Sequence, residues 1–112
     1  MTPSLDLVFS ALADPTRRAI VNRLCQRDLS VNDLVGQFQL TQPTISKHLK
    51  VLERAGLIAR YQIGNQRPCR LQREALNVLE HWLRDRQGQW EQRLDAVEAI
   101  LNQQSKDGSQ HD

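Results

Sequence analysis

Between Thr41 and Gly56 the chain arranges cationic and hydrogen-bonding side chains around an apolar row at helical spacing. Ile45, Leu49 and Leu52 follow one another at intervals that put them on one face of a helix. With about 100° of rotation per residue, Pro43, Lys47, Lys50 and Arg54 fall on the opposite side, Thr44 and Val51 lie beside them, and Ser46 and His48 take the flanks. Gln42, Thr44, Ser46 and His48 sit in the first two turns and are short or planar hydrogen-bonding groups, suited to the edges of base pairs. Lys47, Lys50 and Arg54 are suited to phosphates, which set affinity and register. The start of the helix also favours a phosphate. A short basic helix anchored by its apolar side to a small domain fits the DNA major groove. Each residue also has an ordinary structural reading. His48 could be a boundary histidine bonded to a neighbouring helix, and Lys50 or Arg54 could simply pair with Glu53.

The elements that must hold this helix are legible on either side of it. Thr41 supplies a hydroxyl cap, Pro43 is tolerated in the first turn, and Gly56 supplies a left-handed stop. Leu5, Val8, Phe9 and Leu12 predict a first helix over residues 4–13. Asp14-Pro15 starts a second, with Ile20, Val21 and Leu24 inward. Ser30 caps a short third helix whose Leu34, Val35 and Phe38 face the core, with Gly36 near its end and a turn over residues 37–40. Residues 57–63 then read as a strand, Gly64-Asn65 as a turn and residues 67–71 as the return strand, which Pro68 demotes to an edge or a bulge. At the hairpin tip, Arg67 could reach a minor groove or a phosphate, or could be an ordinary surface arginine. The expected fold is mainly α with a small β-hairpin, a winged helix-turn-helix.

From Glu74 onward the pattern is helical again. Leu76, Leu83, Trp90 and Val97 are spaced by seven, and Leu79, Leu94 and Leu101 flank that row. Arg86, Gln87 and Gly88 interrupt it, which leaves open one bent helix or two. So long a stripe exceeds what a small domain can bury. It predicts a terminal dimerisation helix whose Leu83, Trp90, Leu94, Val97 and Leu101 meet their counterparts in a second subunit. Packing against the first helix within one subunit is the alternative. Residues 1–104 are expected to form the domain and its dimerisation helices, and the polar residues 105–112 a disordered tail.

The chain has 112 residues, 39% apolar and 25% charged, a composition ordinary for one globular domain. No apolar run reaches the roughly 20 residues of a membrane span, and residues 1–14 carry no secretory signal, so the expectation is a cytoplasmic chain with no membrane insertion. The net charge of +2 conceals a segregation. Residues 41–73 hold seven basic residues (Lys47, Lys50, Arg54, Arg60, Arg67, Arg70, Arg73) and one acid, Glu53, for a net +6. Residues 1–40 balance, and residues 74–112 are net −4. Positive charge concentrated on the candidate helix and hairpin points to double-stranded DNA as the partner. No nucleophile elbow, glycine-rich phosphate loop or cleft-forming carboxylate pair is present, so neither an enzyme nor a cofactor is expected. Cys25 and Cys69 belong to no metal-ligand pattern, and His81 with Asp85 reads as a solvated helix-surface pair, so no metal site is expected. Each cysteine is most simply a small, partly buried side chain, while the place of Cys69 in the basic strand region, where a thiolate is favoured, keeps a redox switch open.

Two motifs carry a family resemblance. Ala11-Leu12-Ala13-Asp14-Pro15-Thr16-Arg17-Arg18, followed by Ile20 and Leu24, resembles the second-helix opening of the ArsR family of bacterial winged-helix repressors. Gln42-Pro43-Thr44-Ile45-Ser46-Lys47-His48-Leu49-Lys50-Val51-Leu52, with Ala55-Gly56-Leu57-Ile58, is similar to that family's recognition helix and its entry to the wing. The likeness spans about residues 5–100. It implies a homodimer built by the first and last helices, adding Leu5 and Val8 to the interface. It also implies binding to a palindromic operator and repression relieved by a signal. Metal-sensing members carry a Cys-x-Cys box in the third helix, where this chain has Ser30-Val31-Asn32-Asp33-Leu34, and the Asp-x-His pattern of the last helix is missing too. The resemblance is therefore to the metal-free branch. The expected function is a sequence-specific DNA-binding transcriptional regulator, a homodimeric repressor. Its rivals are a metal- or redox-responsive sensor of the same fold and a protein-interaction module acting on a partner regulator. The net +6 segment argues against the last.

Overall fold

A computed structural model of the chain describes residues 3–110, with side chains to residue 105. The order is α1 (Leu5–Leu12), α2 (Pro15–Leu24), α3 (Val31–Phe38), α4 (Gln42–Arg54), β1 (Ile58–Arg60), β2 (Cys69–Leu71) and α5 (Arg73–Gln110). The first four helices each begin at a side chain that accepts an amide otherwise left without an intrahelical partner. Ser4, Asp14, Ser30 and Thr41 take the N–H groups of Leu7, Arg17, Asp33 and Thr44. Ser30 and Asp33 close a reciprocal capping box. The Thr41 hydroxyl also donates to Oγ1 of Thr44 at 2.8 Å.

The helix ends matter as much for orientation. At the end of α4, Gly56 adopts φ +75°, its N–H donates to the Glu53 carbonyl, and the Leu57 N–H donates to the Leu52 carbonyl, both at 3.0 Å. This is the Schellman arrangement, with Leu52 and Leu57 both enclosed. The stop of α3 differs from the sequence expectation. Gly36 lies inside the helix, and Gln39 takes the left-handed conformation at φ +54°, its N–H donating to the Val35 carbonyl. A side chain in that region costs about 1–2 kcal/mol, a strain placed at the turn between α3 and α4.

Arg17 and Arg18 lock the corner between α1 and α2. Arg17 Nε donates to the Ala11 carbonyl at 2.7 Å and its Nη2 to the Ser10 carbonyl at 3.1 Å. Arg18 Nη1 donates to the carbonyls of Leu12 and Ala13 at 2.8 and 3.1 Å. The carbonyls exposed where α1 stops are thus taken by the first turns of α2. Below this corner lies a core of Val8, Ala11, Ile20, Val21, Leu24, Leu29, Leu34, Ile45, Leu49, Leu52, Leu57, Ile58, Cys69 and Ala75, among others.

The hairpin keeps one antiparallel register from Ile58↔Leu71 through Arg60↔Cys69 to a bridge at Ile63↔Gln66, with Gly64-Asn65 as its two-residue tip. No residue is inserted, so the bulge expected at Pro68 is absent. Proline lacks only the donor, and its carbonyl accepts the Tyr61 N–H at 3.2 Å. Nor is β2 a free edge there. Leu29 and Cys69 exchange backbone bonds of 2.8 and 3.3 Å on its other side. Asp28 Oδ2 then accepts from the Tyr61 hydroxyl at 2.6 Å and from Arg70 Nε at 3.0 Å, and the Arg70 guanidinium lies over the Tyr61 ring. The wing is therefore pinned to the segment before α3.

The described residues form two compact units, one up to Leu79 and one from Glu80 on. Within the first, Ala75 is buried, and Leu76 and Leu79 pack against the core. In the second, α5 continues without a break through Gly88, as one helix. The helical backbone includes residues 105–110, where a disordered tail was expected; adding residues to a formed helix costs little once it is nucleated. Residues 111 and 112 of that tail lie outside the described residues. Among the described residues no helix is long and apolar enough to cross a membrane.

Cys69 takes its buried reading and closes the redox alternative. It is fully enclosed beneath the hairpin, and burial pushes its thiol pKa up despite Arg60 and Arg67 nearby, so the thiolate is disfavoured where the basic surroundings suggested the opposite. Cys25 is exposed. Accordingly, a thiol alkylating reagent is expected to modify one cysteine per folded chain and two only after unfolding, with Cys25→Ser abolishing the native reaction. Modification of Cys69 at the rate of a free thiol would contradict its enclosure. A second expectation concerns acid stability. The backbone N–H of Arg17 holds Asp14, and that of Ser30 holds Asp33, below the ordinary carboxyl value of 3.8. Stability from a lowered carboxyl is complete above the unfolded value and is lost as pH falls through the lower folded one. Melting temperature should therefore fall below about pH 4, and the double variant Asp14→Asn, Asp33→Asn should fall less steeply; parallel curves would deny these caps their charge.

Candidate nucleic-acid interface

The buried row of α4 (Ile45, Leu49, Leu52) leaves Gln42, Pro43, Lys47, Lys50 and Arg54 exposed and Thr44, Ser46 and His48 half-buried. This is the division that the spacing predicts. The two flanks then meet different neighbours. On one, His48 Nδ1 lies 3.4 Å from Arg17 Nη1 and 4.0 Å from Asp14 Oδ2. His48 is thus bonded to α2, as its boundary reading anticipated. On the other flank, Glu53 lies 3.7 Å from Arg60 of β1. The sequence reading had offered Lys50 or Arg54 as its partner. Neither pairs with it among the described residues, whereas β1 follows α4 and brings Arg60 to the carboxylate.

This pairing changes how the basic segment is read. Arg60 is engaged by Glu53 and Arg70 by Asp28, both within the wing's attachment. Lys47, Lys50, Arg54 and Arg67 make no ion pair among the described residues. Arg73 makes none either, so the unpaired charge is on the outward side of α4, at the hairpin tip and at the start of α5. Arg67 also shares a groove of about 290 Å³ with Gln42, Asn32 and Gln66, between the starts of α3 and α4 and the wing. The sequence reading missed Asn32 and Gln66. Their polarity marked them as ordinary loop and cap residues, and only the folding of the wing beside α3 brings them to Gln42.

The expected dimerisation residues separate into two groups. Leu83, Trp90, Leu94, Val97 and Leu101 are all exposed on α5, Trp90 to 53%, and Ile100, missed by the heptad count, joins them. Leu5 is half-buried. Val8 is corrected: at 0% exposure it is consumed by its own subunit's core, and Leu7 and Phe9 are the apolar side chains that α1 exposes. His81 and Asp85 approach to 3.5 Å on the exposed surface of α5. Among the described residues no three histidine, cysteine or carboxylate groups gather as metal ligands would.

Comparison with known proteins agrees with this geometry. Residues 14–60, from the cap of α2 to the end of β1, match the family described as bacterial regulatory protein, arsR family. The HTH-type transcriptional regulator Rv2034 of Mycobacterium tuberculosis is 41% identical over 76 residues, covering 68% of this chain and 71% of that one. The transcriptional repressor SdpR of Bacillus subtilis is 39% identical over 57 residues, 51% of this chain and 63% of its own. The fold is shared with the homodimeric winged helix-turn-helix DNA-binding domain Mb0332 of Mycobacterium bovis, at a TM-score of 0.61 and 24% identity, covering 71% of this chain and 77% of that one. With its winged helix-turn-helix, its outward basic α4 and these relatives, the chain belongs to the ArsR family of DNA-binding transcriptional repressors.

Proposed function

We propose that the chain represses transcription as a homodimer on a palindromic operator, each subunit laying residues 42–50 of α4 in one major groove. Gln42, Thr44 and Ser46 would address base edges. Lys47, Lys50 and Arg54 would neutralise phosphates, and Arg67 would meet the backbone or minor groove beside the wing. The observation that carries this reading is the set of cations without ion pairs on the outward face of a helix whose opposite face is enclosed. Two-fold symmetry would space the half-sites roughly one DNA turn apart, about 34–36 Å. The dimer is supported by the exposed apolar stripe of α5 and by the homodimeric state of the Mycobacterium bovis neighbour. The enclosed thiol of Cys69 speaks against a redox-sensing variant of the same fold built on that residue.

DNA from upstream of the chain's own coding region is the first probe for a gel-shift assay. Retardation is expected at low salt and should weaken steeply as salt rises. Lys47→Glu with Lys50→Glu should weaken binding by more than about 100-fold and lower the slope of log K against log salt by about four for the dimer, with an unchanged circular dichroism spectrum. Wild-type affinity in this variant would move the interface away from α4. For assembly, Trp90→Ala with Leu94→Ala should convert a dimer to a monomer by sedimentation and reduce operator affinity at least tenfold, about 1.4 kcal/mol. A wild-type chain that sediments as a monomer would refute the arrangement.

A further inference from the structure

His48 is a polar side chain on the flank of α4 whose hydrogen-bonding character another helix of the same subunit dictates. Its Nδ1 lies 3.4 Å from Arg17 Nη1. A guanidinium is always charged and only donates, so Nδ1 must present its lone pair. The Asp14 carboxylate, 4.0 Å away, is beyond hydrogen-bond reach and already accepts the Arg17 N–H at 3.0 Å. Within hydrogen-bond distance Nδ1 therefore faces a donor and no acceptor. Arg17 is itself fixed by the carbonyls of Ala11 and Ser10, so the donor has little freedom to withdraw. The hydrogen of the neutral imidazole is left on Nε2. Nε2 has no hydrogen-bond partner among the described residues, yet it is not one of the enclosed unpartnered atoms, of which Arg60 Nε is the only one found there. About a fifth of the His48 side chain is open, one residue along from Lys47.

The geometry points to His48 as a fixed Nε2–H donor to an acceptor on bound DNA, with Arg17 as the positioning residue that sets its tautomer. This rests on the proposed docking of α4. The acceptor is a phosphate oxygen or a base atom such as guanine O6 or N7, and it is never a donor such as the amino group of adenine or cytosine. Arg17 thereby links the α1–α2 corner to recognition, although it touches no DNA itself.

Two substitutions separate the roles of the two nitrogens. In His48→Asn, Oδ1 can replace Nδ1 as the acceptor from Arg17, but nothing reaches the place of Nε2. His48→Gln extends an amide N–H toward that place and gives up the Arg17 bond. The Asn variant is expected to bind upstream DNA about tenfold more weakly than wild type, the factor for one lost charge-assisted hydrogen bond, and the Gln variant within about threefold. Both should keep the wild-type melting profile to within a few degrees. On a panel of operator base substitutions, a loss uniform across the panel identifies a phosphate acceptor and a loss confined to one base pair identifies a base edge; either supports the assignment. Nitrogen-15 spectra of the free protein in mildly alkaline buffer should show His48 protonated at Nε2 and bare at Nδ1. A proton on Nδ1, or wild-type affinity in His48→Asn while wild type itself binds, overturns this inference alone. A wild-type chain that retards no DNA sinks the regulator reading and this inference with it.

Discussion

A recognition helix has to be held firmly by one side only, and in this chain the hold comes from the enclosure of Ile45, Leu49 and Leu52. Burial of three aliphatic side chains is worth several kcal/mol, enough to fix α4 without using any group on its other side. Each surrounding element contributes to that enclosure. α1 and α2 provide Val8, Ile20 and Leu24, α3 provides Leu34, and the wing provides Ile58 and Cys69. The polar side of α4 is left for a partner because the apolar side needs no help.

Electrostatics in the basic segment divides along the same line. Two carboxylates each bind a cation of this segment, one from within it and one from the chain before it. Glu53 takes Arg60, and Asp28 takes Arg70 together with the Tyr61 hydroxyl. Both acids serve the seating of the wing, and neither reaches the outward lysines. Positive charge that a count along the chain treats as one patch is thus two populations, one spent on architecture and one unspent on α4, Arg67 and Arg73. The second population is the one that long-range attraction to a polyanion depends on.

Much of this was legible in the amino acids themselves. Caps at Ser4, Asp14, Ser30 and Thr41 and the stop at Gly56 are local chemistry, and local chemistry is written in short stretches of sequence. The inward and outward faces of α4 follow from spacing alone. What could not be read depends on residues distant in the chain. The bond between Arg17 and His48 spans 31 positions, and the Leu29–Cys69 bridge joins a loop to a strand. Val8 was expected at the interface because the family resemblance puts the first helix there, and neither resemblance nor spacing gives the depth at which a side chain lies. A reactive Cys69 stayed open as an alternative because its sequence neighbours are basic, while the surroundings that set its chemistry are apolar and come from elsewhere in the fold. Gln39 gave no signal, since a left-handed glutamine has no compositional mark.

The backbone bond from Leu57 to the Leu52 carbonyl ties the first residue before β1 directly to the last turn of α4. Side chains alternate along a strand, so a single residue gained or lost in that junction would invert β1, turning Ile58 outward and Ala59 into its place. The length of the joint is consequently as constrained as its composition. By contrast, Ile63 and Gln66 close the Gly64-Asn65 tip on itself, which decouples the far end of the hairpin from that phase. Diversification by insertion is therefore cheap at the tip and ruinous at the hinge, so natural length variation in such a module should collect where the wing would meet the nucleic acid.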